Sequence, residues 1–212
     1  MATRLKLIGM GSLLVIALFF AFALGHAWQW FVCLALAFSW LGDALLAHFD
    51  PISRHVPDPF IAGMGSFAVA QIAYIIAFWR SMVGMPLLHM RVPGMRFGME
   101  VLPAILPVYV LFGLLFWVWT VMRAEKPWDL KIATLVYCIL LSVMAGFAAS
   151  AAFVGNGFVW PLMVGGTLFM ISDGIIAAHL FRGSIQNEKR YEIAVWATYL
   201  PAQILPLLGP SS

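Results

Sequence analysis

A chain of 212 residues that is 63% hydrophobic and only 10% charged, with a mean hydropathy of +0.96, lies far outside the composition of soluble globular domains. Apolar runs consume almost the whole length, which excludes a separate soluble domain or a long linker and makes 1–212 one transmembrane domain by expectation. The formal net charge of +3 does not point to nucleic acid, because the basic residues sit in short loops between apolar runs, where membrane topology places them.

Runs of about 20 apolar residues read as spanning helices, since backbone polar groups in lipid must be satisfied within the segment. In chain order they fall at 7–24, 27–48, 60–81, 100–122, 131–154, 158–180 and 191–209, which predicts an all-α, polytopic membrane helix bundle of seven transmembrane helices. The first follows Arg4 and Lys6 and ends near Ala21-Phe22-Ala23, a pattern shared with signal peptides, but its 18-residue uncharged run is long for a cleaved leader and is read as a span. From Ile132 to Ser172 no residue is charged. That stretch is too long for one crossing, so Gly155-Asn156-Gly157 is the predicted turn between the fifth and sixth helices. Cys33 and Cys138 are too few for a disulfide framework and read as small apolar residues.

Basic residues then set the orientation. Arg4, Lys6, Arg54, Arg123, Lys126, Lys131, Arg182, Lys189 and Arg190 fall on the N-terminal face, against Arg80, Arg91 and Arg96 opposite. Nine against three predicts a cytoplasmic N-terminus and an external C-terminus, in a bacterial inner membrane. Trp28, Trp30, Trp79 and Trp160 then line the outer interface and Trp117, Trp119, Trp128 and Trp196 the inner one, as interfacial anchors.

Two carboxylates lie inside spans, Asp43 on the second helix and Asp173 on the sixth. Both helices run inward, and at 1.5 Å per residue the two acids sit on the order of 8 to 11 Å from the cytoplasmic ends, so they share a depth. An aspartate at a helix centre costs ~2.5 to 3.5 kcal/mol on insertion scales, which argues for an interior or wet position and for a function. Other polar groups fall in the same inner half. Gly63, Phe67, Ala70 and Tyr74 form a stripe on the third helix with Ser66 and Gln71 beside it, Tyr137 lies low on the fifth, and Tyr199 and Gln203 share a face of the seventh. Tyr109 sits near the middle of the fourth. A lone Tyr or Gln in a span is usually a helix-to-helix hydrogen bond, and Gly63, Gly165 and Gly166 are usually close-packing positions. The pair of acids at one depth is the stronger signal.

Gly42-Asp43 ending one helix, Phe60 and Gly63 with Phe67 to Tyr74 in the next, Gly166 with Phe169-Met170-Ile171-Ser172-Asp173, and Tyr199-x-x-Ala202-Gln203 in the last resemble the lysoplasmalogenase (YhhN-like) family of membrane proteins, in order and spacing over residues 36–208. The resemblance implies hydrolysis of the vinyl ether of lysoplasmalogens to a fatty aldehyde and a glycerophospho-alcohol, with Asp43 and Asp173 as the matching acids. Two features depart from the family pattern. Seven spans stand where the family usually shows eight, and Gln71 stands where members often carry His.

Vinyl ether cleavage protonates the β-carbon, adds water to the resulting oxocarbenium ion and collapses the hemiacetal, so it needs an acid, an anion and a base. Two carboxylates in contrasting environments can supply these, as in glycosidases. The expected roles are Asp173 as acid and Asp43 as anion and later base, a pairing that could be reversed. Gln71, Tyr74, Tyr109, Tyr137, Ser172, Tyr199 and Gln203 are the candidates for holding the lysophospholipid substrate, and Tyr74, Tyr137, Tyr199 and Gln203 are expected to orient a carboxylate or the water. Arg54, Lys131 or Lys189 at the cytoplasmic mouth could meet its phosphate. No cofactor or metal is expected: His48, His55 and His179 lie on the same side, but Asp43 and His48 are five apart and Asp173 and His179 six, which places neither pair on one helical face. Paired acids also occur in proton-coupled transporters and would persist in a non-catalytic lipid-binding protein, which are the alternatives.

Overall fold

The computed structural model describes residues 2–83, 98–153 and 159–208. Its elements are helices α1 (Ala2–Leu24), α2 (Ala27–Leu46), α3 (Asp50–Ser53), α4 (Pro59–Val83), α5 (Gly98–Trp117), α6 (Trp128–Ala151), α7 (Trp160–Arg182) and α8 (Glu188–Ile204). A π-helical stretch, Val118–Met122, continues α5, and a 3₁₀ turn, Leu205–Leu208, continues α8. No strand occurs among the described residues. The expected turn at Gly155-Asn156-Gly157, together with Arg91 and Arg96, lies outside them.

Six helices are long and apolar enough to cross a bilayer, over Lys6–Leu24, Ala27–Leu46, Pro59–Val83, Glu100–Met122, Trp128–Ala151 and Trp160–Arg182. The seventh expected span is helical but falls short of this standard. Its helix has 17 residues, about 25 Å of rise against a hydrocarbon core of about 30 Å. Glu188, Lys189, Arg190 and Glu192 fill its first turns, so the uncharged stretch begins only at Ile193. Large apolar side chains such as Val15, Phe22, Val108 and Phe112 project outward, the surface that lipid tails accept.

The chain divides into two compact units, residues 1–80 and 81–212. In the first, α1 and α2 form an antiparallel hairpin that turns at Gly25, whose φ of 70° suits glycine. Each step back along α1 matches a step forward along α2. Phe22 packs edge-on against Trp30 with ring centroids 4.8 Å apart, and Trp40 Nε1 donates to the Leu7 carbonyl at 2.9 Å. Asp58 starts α4 by accepting from the Phe60 and Ile61 amides at 2.9 and 3.1 Å, ahead of Pro59 at the first helical position. On α4, Ser66 Oγ donates to the Phe38 carbonyl of α2 at 2.7 Å. Gly42 and Gly63 make this approach possible, since a Cβ at Gly42 would stand 2.7 Å from the Phe67 ring and one at Gly63 2.8 Å from the Leu46 side chain.

In the second unit α7 touches each of its neighbours. Gly174 lies against Phe116 of α5, Gly166 against Ala145 and Ala148 of α6, and Gly165 against Leu205 and Pro206 after α8. The left-handed Gly183, at φ 59°, ends α7 by donating its amide to the His179 carbonyl, and Asn187 caps α8 by accepting from the Arg190 amide. Trp117 departs from its expected role as an interfacial anchor. It is buried with Val121 and Phe181, and its Nε1 donates to Thr134 Oγ1 at 3.2 Å. Its indole N–H is satisfied by a side chain of the neighbouring helix.

The α6–α7 seam gives a direct packing test. A Cβ at Gly166 would stand 2.7 Å from Ala148 Cβ and 3.2 Å from the Ala145 backbone, whereas one at Gly9 meets nothing within 4 Å. Gly166→Val is expected to lower stability by about 1 to 3 kcal/mol through overpacking. Gly9→Ala is expected to leave it unchanged or slightly raised. Thermal unfolding of both variants in mild detergent checks the contrast.

Candidate functional site

The candidate residues fall into two groups, one in each compact unit. In the first, Asp43 lies on the α2 stripe that also buries Gln29, Val32, Cys33, Leu36 and Ser39. That spacing of three and four residues puts the carboxylate on an inward face. It is 1% exposed, and Lys6 of α1 sets its Nζ 2.5 Å from Asp43 Oδ1. Removing one partner of so buried a pair costs about 3 to 5 kcal/mol, because the other is left charged in a low-dielectric setting. Lys6 counted only towards orientation in the sequence reading.

The expected α4 stripe is buried as a whole: Gly63, Ser66, Phe67, Ala70, Gln71 and Tyr74. Tyr74 stacks on Phe78 with centroids 5.8 Å apart. Gln71 is fully enclosed, and among the described residues neither its Oε1 nor its Nε2 has a hydrogen-bond partner. A buried, unpaired amide costs about 1 to 3 kcal/mol and persists only with a compensating reason.

In the second unit, Asp173 is half-buried on α7, and Tyr137 of α6 donates its hydroxyl to Asp173 Oδ2 at 2.5 Å. This joins two residues that the sequence reading singled out separately. Tyr191 at the start of α8 lies within electrostatic reach of Asp173, Glu188 and Glu192. Tyr109 of α5 shares a 2.8 Å hydrogen bond with Thr167 of α7, a partner the sequence reading missed. Ser172 is buried with its Oγ 3.5 Å from the Val195 carbonyl. Tyr199 and Gln203 are buried on one face of α8, and the Tyr199 ring packs edge-on against Phe169 at 5.6 Å.

Among the basic and histidine candidates, Arg54, His55, Lys131 and His179 have structural partners. Lys131 is buried, donates to the Met122 carbonyl at 3.1 Å and lies over the Trp128 ring. It closes the end of the π-helical stretch, where terminal carbonyls lack helical partners. His179 stacks on Tyr191 with centroids 4.0 Å apart, its Nδ1 3.1 Å from the Ile185 carbonyl, and His55 accepts from Arg54 Nε. Among the described residues no group of three or more His, Cys, Asp and Glu side chains is placed to hold a metal ion.

These features define a multi-pass, all-helical membrane protein that carries carboxylates within its apolar helices. The chain belongs to the YhhN family, which it matches over residues 1–209. It is 30% identical over 177 residues to lysoplasmalogenase TMEM86B of Sus scrofa, an alignment that takes in 84% of this chain and 62% of that protein. The chain therefore spans less than two thirds of the length of that relative. No solved structure matches it.

Proposed function

We propose that this protein is a membrane hydrolase that cleaves the vinyl ether bond of lysoplasmalogen-type lysophospholipids, with its N-terminus in the cytoplasm of a bacterial cell. Family membership and the similarity to a lysoplasmalogenase support the substrate class. The observation that carries the chemistry is the contrast between the two acids: Asp43 faces an ammonium, and Asp173 accepts from a phenol.

In the proposed reaction Asp173 gives a proton to the β-carbon of the vinyl ether, and Tyr137 orients the carboxyl through Oδ2. Asp43, held beside the Lys6 ammonium, stabilises the oxocarbenium ion. Water adds to the cationic carbon and loses a proton to a carboxylate. The hemiacetal then breaks its bond to the glycerol oxygen, which takes up a proton and leaves as the alcohol. The products are a fatty aldehyde and a glycerophospho-alcohol, and one water is consumed.

Purified protein is tested on lysolipids that share head group and chain and differ only in the sn-1 linkage. Aldehyde release from the vinyl ether, with the ester and alkyl ether left intact and with activity retained through EDTA, is the expected result. Fatty acid release from the ester, or transport without turnover, would refute the proposal. Tyr137→Phe is expected to lower the rate by about 10- to 100-fold, the worth of one hydrogen bond to a carboxyl group. Initial rates of aldehyde release measure it.

A further inference from the structure

α1 is largely an outward-facing helix, with Ile8, Val15, Phe19 and Phe22 all exposed. One polar group on it turns inward. Lys6 reaches Asp43 of α2 at 2.5 Å and is itself only 21% exposed. The register that brings them together is fixed at several points along the hairpin: the Gly25 turn, the Phe22–Trp30 ring contact, and the Trp40 to Leu7 hydrogen bond beside the pair. From the other side α4 closes on the turn that carries Asp43, where Phe67 fills the space a Cβ at Gly42 would occupy.

We infer that Lys6 is the positioning residue for Asp43: its ammonium holds one carboxylate oxygen and so fixes the orientation of the group. This rests on the reading of Asp43 as the stabilising anion. α1 is thereby part of the active-site structure as well as a membrane span. Lys6 touches no reacting atom and acts through Asp43.

Two measurements on the full chain in detergent test it. The first is a double-mutant cycle on unfolding midpoints with Lys6→Met, Asp43→Asn and the double variant. Lys6→Met is expected to lower the midpoint when Asp43 is present and to have little effect when it is Asn. An equal drop in both backgrounds overturns the inference, as would be found if Lys6 served only topology. The second is steady-state kinetics. Lys6→Met is expected to lower kcat by about 10- to 100-fold with KM within about twofold, the scale seen when a group that orients an active-site ligand is lost. Lys6→Arg, which keeps the charge, is expected to recover most of that rate. Unchanged kcat in Lys6→Met, or an equal loss in Lys6→Arg, overturns it. If Lys6→Met does not fold, Lys6→Arg alone carries the kinetic test, where a kcat within about threefold of the unsubstituted protein supports the inference and a larger loss overturns it. Absence of vinyl ether turnover in the unsubstituted protein refutes the proposed reaction, while the stability cycle still reports on the pair.

Discussion

Asp173→Asn is expected to reduce vinyl ether turnover by about 10²- to 10⁴-fold, the usual contribution of a positioned proton donor, or about 3 to 5 kcal/mol in the barrier. Asparagine has nearly the shape of aspartate, and its carbonyl oxygen can still accept from Tyr137. The fold is therefore expected to survive, and the loss to lie in chemistry. Asp43→Asn is expected to cost a similar factor for a different reason, since it removes the charge that faces the Lys6 ammonium. That variant is also expected to unfold at lower temperature. Initial rates of aldehyde release, together with size-exclusion profiles and unfolding midpoints, separate the two effects. Retention of more than about a tenth of the rate by Asp173→Asn would remove it from the role of acid.

Gln71→Leu is expected to move stability and activity in opposite directions. Both amide atoms are buried without a hydrogen-bond partner among the described residues. Replacing them with a hydrocarbon of similar size removes a burden of about 1 to 3 kcal/mol. The unfolding midpoint should rise by a few degrees. If the amide is kept because it holds a water or a polar atom of the substrate, turnover should fall by about 5- to 150-fold, the rate equivalent of that same energy. This is the trade between stability and activity expected of a polar group retained for use. A lowered midpoint in Gln71→Leu would show that the amide serves the fold instead.

Much of the fold was legible because its signal is crude. Uncharged runs of about 20 residues mark spans whatever their neighbours, and α2, α4, α6 and α7 begin and end within a few residues of the expected limits. The last helix was less legible, because the expected span starts at 191, past the charged first turn, while helix formation starts at the Asn187 cap. Lateral order was hidden for a different reason. Helices that are apolar nearly all round carry little periodicity to show which face meets which neighbour. Thr167 therefore gave no sign of pairing with Tyr109, nor Trp117 of turning inward to Thr134.

The link between Tyr137 and Asp173 was legible only in outline, with Tyr137 among four residues expected to orient a carboxylate or the water, since nothing in sequence fixes the rotation of α6 against α7. Lys6 is the instructive miss. A tight turn at Gly25 makes the α1–α2 hairpin register countable, and counting back from the turn puts Lys6 near Asp43. A lysine ahead of a span also satisfies the rule for orientation. That sufficient explanation concealed a second role.

The central claim is that the vinyl ether is broken by proton transfer to carbon followed by addition of water, and the products record that order. Purified protein is allowed to turn over a vinyl-ether lysolipid in D₂O, and in separate runs in H₂¹⁸O, with the aldehyde trapped by reduction as it forms and examined by mass spectrometry. The account predicts one deuterium on the carbon next to the former carbonyl, and the ¹⁸O label in the alcohol derived from the aldehyde, not in the glycerol product. An aldehyde without deuterium at that carbon, or label in the glycerol oxygen, would contradict it.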